Sequence, residues 1–162
     1  MIFSTSFSSI SVAKISNREF KVKDIKDSIY TIKFEKDIAV VFFNSINCHD
    51  CFLDLNEYFK NHRNDLNKIY CIIRSNSNSK YSERVILNYA KKLFKADYYY
   101  FDIHNDDDDG LYDIKGGLFY EYNVIKTPAM IYVGDTLKFL SYDILFGDNV
   151  HLEKVLNKLI KK

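Results

Sequence analysis

A short apolar run followed by two cysteines constrains this chain more than any other feature. Residues 38–43 are Ile-Ala-Val-Val-Phe-Phe, and a run of β-branched and aromatic residues with no polar face predicts a buried strand. Asn44 and Ser45 follow, and their side chains can hydrogen-bond nearby backbone instead of continuing the strand. Cys48 and Cys51 come next, at Cys-x-x-Cys spacing. The cysteine pair therefore stands directly after a predicted buried strand.

A helix is predicted from Cys51 onward, because Phe52, Leu55 and Phe59 recur at i, i+3 and i+7. Cys48 then stands at the helix entrance, where unpaired N–H groups and the positive end of the helix dipole favour an anion. Such sites lower a cysteine pKa from about 8.5 to roughly 3.5–7.5. We expect a thiolate at Cys48 that attacks a substrate disulfide, with Cys51 resolving the mixed disulfide.

We predict a single domain over residues 1–162, with residues 1–19 as a Ser-rich lead, because the chain shows no repeat, linker or compositional break. A net charge of +1 gives no electrostatic reason to bind nucleic acid or an anionic membrane. No stretch approaches the roughly 20 apolar residues of a membrane span. The first ten residues lack basic side chains before an apolar run and do not form a convincing signal peptide.

The third cysteine, Cys71, lies within a second predicted buried strand, residues 68–74. There we expect it to fill apolar space as a small residue, with a third redox thiol as the alternative. A zinc site at Cys48 and Cys51 would need two more ligands. The four histidines are scattered, and there is no second Cys-x-x-Cys. We therefore expect no metal.

The remaining pattern alternates strands with helices. Residues 82–96 predict a helix with one apolar and one polar face. The apolar face comprises Val85, Ile86, Tyr89, Ala90, Leu93 and Phe94, and the polar face comprises Glu83, Lys91 and Lys92. Further strands are predicted at residues 10–13, 20–25, 30–34, 98–101, 130–133 and 137–140, and further helices at residues 113–122 and 149–162.

Residues 102–110 form an acidic turn. Asn105, Asp107 and Asp109 resemble the start of a calcium loop, but the position of the closing bidentate Glu is taken by Gly116. We expect a solvated loop at residues 105–110, with weak cation binding as the alternative.

Pro128 is the only proline in the chain. Because proline removes a hydrogen bond from a ladder, we expect it at the first residue of a strand or in a turn. An X-Pro bond is cis in only about 5–6% of cases, so local considerations favour trans.

The order of strand, Cys48-x-x-Cys51, helix, strand, helix, Thr127-Pro128 and hairpin resembles the thioredoxin fold. More narrowly, it resembles the TlpA-like thiol-disulfide oxidoreductases of the bacterial cell envelope. The resemblance covers residues 20–162. It implies an α/β fold with a central mixed sheet flanked by helices, and an inserted helix and acidic turn before a cis-proline segment.

The resemblance also implies roles for single residues. The Thr127–Pro128 bond should be cis and lie beside Cys48, which would leave the Thr127 backbone free to pair with an extended substrate. Asp54, three residues after Cys51, matches a carboxylate that many members carry. It would carry protons to Cys51 if it is buried, and a solvated surface Asp is the alternative.

Departures from the family pattern make the rim of the predicted site more polar. Asn47 stands where the family usually has tryptophan, and Asn44 stands where it usually has an aromatic residue. A protonated His49 would favour the thiolate at Cys48, whereas Asp50 would oppose it. The substrate is expected to contact Asn47, His49, Asp50, Thr127 and Pro128.

The resemblance implies a disulfide-bearing protein substrate, a redox partner protein and no cofactor beyond a redox-active Cys48–Cys51 disulfide. We expect a monomer in the periplasm or cell envelope, with the cytoplasm as the alternative compartment. The alternative function is a non-catalytic thioredoxin-fold binding module in which the same disulfide is structural.

Overall fold

A seven-stranded mixed sheet forms the centre of the protein, seen in a computed structural model. The structure describes residues 18–44, 47–74, 79–103 and 117–160. The strands are β1 (Glu19–Lys23), β2 (Ile29–Lys33), β3 (Ile38–Asn44), β4 (Lys68–Arg74), β5 (Tyr98–Asp102), β6 (Ala129–Val133) and β7 (Leu137–Leu140). The predicted strand at residues 10–13 and the acidic turn at residues 105–110 lie outside the described residues.

The order of strands across the sheet is β2-β1-β5-β4-β3-β6-β7. Strands β3, β4 and β5 are parallel, whereas β6 is antiparallel to β3 and β1 is antiparallel to β5. The two outer hairpins, β1–β2 and β6–β7, are antiparallel. Consequently the carboxyl ends of the three parallel strands meet at one edge of the sheet, which we call the carboxyl edge.

Strand β3 lies inside the sheet and is almost entirely buried. All of its residues are buried except Asn44, which is partly buried, as the continuous apolar run predicts. It pairs with β4 on one side and with β6 on the other. The strand predicted at residues 68–74 matches β4 at both ends.

Helices cover both faces of the sheet. They are α1 (His49–Asn61), α2 (Lys80–Leu93), α3 (Gly117–Glu121), α4 (Tyr142–Phe146) and α5 (Leu152–Ile160). Buried residues of α1, α2, α4 and α5 pack on one face, where Val41 and Phe43 of β3 point. Leu118 and Phe119 of α3 pack on the other face, against Phe42. The alternation of residues along β3 thus supplies two separate cores.

The prediction of a solvent-exposed polar face on α2 is wrong for Glu83. Glu83 is buried, where Lys23 of β1 and Lys80 hold its carboxylate at 3.1 and 2.8 Å. Conversely, Val85 and Tyr89 are exposed rather than in the core. A charged residue enters the interior here because two cations compensate the lost hydration.

Helix α4 was not predicted, because five residues are too few to show a helical repeat. The helices predicted from Cys51 onward and at residues 82–96 are present with shifted ends, and helices α3 and α5 lie within the residues predicted at 113–122 and 149–162. The extent of the domain over residues 1–162 stays a prediction, since residues 1–17 lie outside the described part.

Candidate active site

Cys48 is the N-cap of α1 and lies four residues after the end of β3, at the carboxyl edge of the sheet. Its backbone is extended, with φ −86° and ψ 104°. The N–H of Cys51 donates to Cys48 Sγ at 3.3 Å. The sulfur therefore occupies the position of a capping oxygen, at the end of the helix where negative charge is favoured.

Cys48 and Cys51 form a disulfide, with their Cα atoms 5.2 Å apart. The two sulfurs differ in access: Cys48 is partly exposed, whereas Cys51 is buried with 8% of its surface exposed. An incoming group can thus reach Cys48 first. This is the asymmetry expected of a nucleophile and a resolving cysteine.

The Thr127–Pro128 peptide bond is cis and lies beside the cysteine pair. The N–H of Cys48 donates to the Thr127 carbonyl at 3.2 Å, and Asn47 forms a parallel bridge with Thr127. The prediction that the Thr127 backbone is free is therefore wrong for its carbonyl. That carbonyl already accepts the backbone N–H of Cys48.

Two asparagines link the proline segment to the sheet. Thr127 Oγ1 donates to Asn44 Oδ1 at 3.2 Å, and Asn47 Nδ2 donates to the Asn44 carbonyl at 2.8 Å. Both stand where the resemblance places aromatic residues. Because Thr127 and Pro128 are buried, their side chains hold the loop, and the exposed positions next to them are Ile125 and Lys126.

The acidic residues around the pair lie at the surface. Asp50 is almost fully exposed, and its Oδ1 lies 3.3 Å from Nδ1 of the half-exposed His49. Asp54 is also exposed. The predicted role of Asp54 as a proton carrier required burial, so the structure supports the alternative, a solvated residue on the helix surface.

Tyr142 contacts Cys51 and was missed by the sequence analysis. Its Oη lies 3.5 Å from Cys51 Sγ, and Lys126 Nζ lies 5.7 Å from the centre of its ring. Tyr142 is the first residue of α4. No signal in the sequence marks it, because the contact joins positions 91 residues apart.

The carboxyl edge also buries Asp102, the last residue of β5. Its two carboxylate oxygens accept the N–H groups of Leu118 and Phe119 at 2.8 and 2.9 Å. Burial raises the pKa of Asp102, although these bonds and the charge of Arg74 oppose the shift. Asp102 fixes the start of α3, after which the chain continues to Thr127.

Cys71 is remote from this chemistry. It lies in the middle of β4 with none of its surface exposed, and burial raises the pKa of its thiol. The prediction of a small apolar filler is confirmed.

Within the described residues, no group of three or more His, Cys, Asp or Glu side chains is arranged to hold a metal ion. None of the described helices has the length and apolar character needed to cross a membrane.

No protein-family model and no curated protein matches this sequence. Solved structures do match. The thioredoxin domain of a thiol-disulfide oxidoreductase from Bacteroides vulgatus is 14% identical, with 93% of this chain and 99% of that chain covered and a TM-score of 0.54. A thiol:disulfide interchange protein from a Bacteroides species is 17% identical, with coverages of 94% and 90% and a TM-score of 0.49. A member of the Sco family of cytochrome c oxidase assembly proteins is 12% identical, with coverages of 87% and 89% and a TM-score of 0.46.

The likeness to the Bacteroides vulgatus domain shows that this chain has a thioredoxin-like fold. The predicted fold class, a mixed sheet flanked by helices, is confirmed. The protein is therefore a thioredoxin-like α/β protein with a Cys-x-x-Cys disulfide at the start of its first helix.

Proposed function

We propose that this protein is a thiol-disulfide oxidoreductase that uses Cys48 and Cys51 to reduce or exchange disulfides in protein substrates. One observation carries the proposal: a disulfide caps α1 with its first sulfur partly exposed and its second buried. Disulfide exchange needs an accessible thiolate and a second thiol within bonding distance. Cys48 can supply the accessible thiolate, and Cys51 can supply the second thiol.

The reaction begins from the reduced pair. The helix N-terminus and the Cys51 N–H stabilise the Cys48 thiolate. This thiolate attacks a substrate disulfide, a Cys48–substrate bond forms, and the displaced substrate sulfur leaves as a thiolate that water protonates. The Cys51 thiolate then attacks Cys48 Sγ and releases the second substrate sulfur. Two electrons pass from the protein to the substrate, and a dithiol reductant resets the pair. The same steps in reverse oxidise a dithiol substrate.

A substrate would approach on the side of His49 and Asp50, which flank the accessible sulfur and are exposed. Ile125 and Lys126 are exposed on the adjoining proline segment. The buried Thr127 and Pro128 position Cys48 through the Thr127 carbonyl, and their direct contact with a substrate stays a prediction. The cysteine pair with its own exchange chemistry needs no further cofactor.

The TlpA-like resemblance supports a location in the periplasm or cell envelope, where disulfides persist. We propose a monomer there, acting on a protein substrate and reset by a redox partner protein. Fractionation of the source cells after acid trapping of thiols tests the compartment. Recovery of the protein with the cytoplasmic fraction would favour the alternative compartment.

Insulin reduction in the presence of dithiothreitol tests the activity. Cys48→Ser removes the nucleophile and should abolish turnover, whereas Cys71→Ala, which also removes one thiol, should retain the wild-type rate per folded molecule. Turnover that survives in Cys48→Ser would overturn the assignment.

A second variant separates the enzyme from the alternative, a binding module with a structural disulfide. Cys51→Ser should accumulate mixed disulfides through Cys48, because the resolving thiol is gone. If no mixed disulfide forms, and the wild-type disulfide yields to dithiothreitol only in denaturant, the structural alternative holds.

A further inference from the structure

We infer that Tyr142 is a catalytic residue whose hydroxyl stabilises the thiolate that forms on Cys51 when the disulfide opens. The inference rests on the proposed function and adds a residue from α4 to it. The contact is 3.5 Å between Tyr142 Oη and Cys51 Sγ. Because a disulfide sulfur carries no proton, the hydroxyl is the donor in this contact.

The two sulfurs have different needs once the disulfide breaks. Cys48 lies at the helix N-terminus and accepts the Cys51 N–H at 3.3 Å. Cys51 lies one turn further on and is buried, so a thiolate formed there loses much of its hydration. A hydrogen-bond donor within reach of this sulfur offsets that loss. Tyr142 provides one, whereas Asp54 on the helix surface is exposed and acceptor-only when ionised.

The position of the Tyr142 ring is fixed by its neighbours. Leu145, one turn along α4, is fully buried and anchors the helix in the core. The Tyr142 ring lies 5.8 Å from the ring of Phe146. Lys126 Nζ lies over the Tyr142 ring at 5.7 Å from its centre, a distance at which a cation is attracted to an aromatic face. None of these contacts uses the hydroxyl, which is left to interact with Cys51.

The step that the hydroxyl assists is the opening of the disulfide. A thiolate from a reductant attacks Cys48 Sγ and forms a mixed disulfide. The Cys48–Cys51 bond breaks, and its electron pair leaves on Cys51. The Tyr142 O–H donates to this new thiolate, which later takes a proton from water. In the opposite direction, the same hydrogen bond keeps more of Cys51 deprotonated and ready to attack.

Stopped-flow reduction of the disulfide by dithiothreitol measures this step directly. Tyr142→Phe removes one oxygen and keeps the ring. We expect it to slow opening about tenfold, which is at the low end of the effect of losing a hydrogen bond to a charged group. Tyr81→Phe makes the same change on an exposed tyrosine of α2 and should leave the rate unchanged.

A second readout separates a role in catalysis from a role in folding. In a Cys48→Ser, Cys71→Ala protein, the pH dependence of alkylation reports the Cys51 thiol alone. Tyr142→Phe should raise the pKa of that thiol by about one unit, while the melting temperature stays unchanged. An unchanged pKa together with an unchanged opening rate would overturn the inference.

Tyr142→Leu lacks both the ring and the hydroxyl. If the hydroxyl is responsible, the leucine and phenylalanine variants lose the same factor in opening rate. A loss in the leucine variant alone would assign the effect to ring packing and overturn the inference. These rates are measured with a small dithiol, so they stand apart from insulin turnover, whose survival in Cys48→Ser would overturn the proposed function instead.

Discussion

Cys51 and Cys71 are both buried, with 8% and 0% of their surface exposed, but they lie in different parts of the molecule. Cys51 is in the first turn of α1, beside the carboxyl edge, and Tyr142 Oη contacts its sulfur. Cys71 is in the centre of the sheet, where its register partners are Val41 and Tyr99. Cys51 is part of a disulfide, whereas Cys71 is a free thiol packed in the core.

The two regions differ in how they treat polar groups. The carboxyl edge buries Thr127 and Asp102, and each has a named hydrogen-bond partner. The part of the sheet around Cys71 is lined mainly by apolar residues, and there burial raises the pKa of the thiol. Thiol reactivity therefore follows from partners and access rather than from the presence of a cysteine.

The largest expected difference is in reactivity toward a thiol reagent. In the reduced, folded protein, iodoacetamide at neutral pH should modify Cys48 at least about 10³-fold faster than Cys71, because each unit of raised pKa lowers the thiolate fraction tenfold and burial blocks access. Peptide mass spectrometry over time measures both rates. If Cys71 is labelled as fast as Cys48 without denaturant, the predicted difference in reactivity between the two cysteines is wrong.

Next in size is the cost of removing a buried polar partner at the carboxyl edge. Asp102→Ala leaves the N–H groups of Leu118 and Phe119 without their acceptor, so we expect it to lower the free energy of unfolding by about 2–4 kcal/mol. Asp54→Ala removes an exposed carboxylate and should stay within about 0.5 kcal/mol of wild type. Urea titrations measure both, and equal effects would show that the edge does not depend on its buried acid.

A smaller effect is expected at the centre of the sheet. Cys71→Ser puts a hydroxyl among apolar side chains and should cost about 1–3 kcal/mol in urea unfolding, more than Cys71→Ala. Insulin reduction per folded molecule should be unchanged in both variants. If Cys71→Ser is as stable as Cys71→Ala, the centre of the sheet accommodates a polar group as well as the carboxyl edge does, which would contradict this prediction.

The smallest effect is a pH dependence from Asp102. Since burial raises its pKa in the folded state, the folded protein binds this proton more readily than the unfolded chain. The contribution of Asp102 to stability is therefore fully present below the ordinary carboxyl range and is lost as the pH rises through the raised value. Urea titrations across this range should show a steeper fall in wild type than in Asp102→Asn. Parallel curves would contradict the shift.

Elements with strong local signals could be predicted from the sequence. The apolar run of β3, the helical spacing of α1 and the buried strand β4 are each recorded in adjacent residues. They were enough to place the cysteine pair between a strand and a helix. The fold as a whole followed from the resemblance, which joined these elements to Pro128.

Contacts between distant segments that the resemblance does not specify could not be predicted. Tyr142 reaches Cys51 across 91 positions from a helix too short to show a period. Glu83 has the spacing of a surface acid on α2, and its burial depends on the approach of Lys23 from β1 in addition to the nearby Lys80. The exposure of Asp54 likewise depends on what packs against its helix, which no local pattern records.

The position of β3 has a consequence for the order in which parts of this protein unfold. Strand β3, which ends four residues before Cys48, is hydrogen-bonded to a neighbouring strand on each side, so we expect it to be among the last elements to open when the molecule unfolds in stages. Fraying of β2, at the opposite end of the sheet from β6 and β7, would leave Cys48 and its hydrogen bond to the Thr127 carbonyl in place. Loss of the proposed redox activity on heating should therefore follow the unfolding of the central strands rather than the fraying of β2.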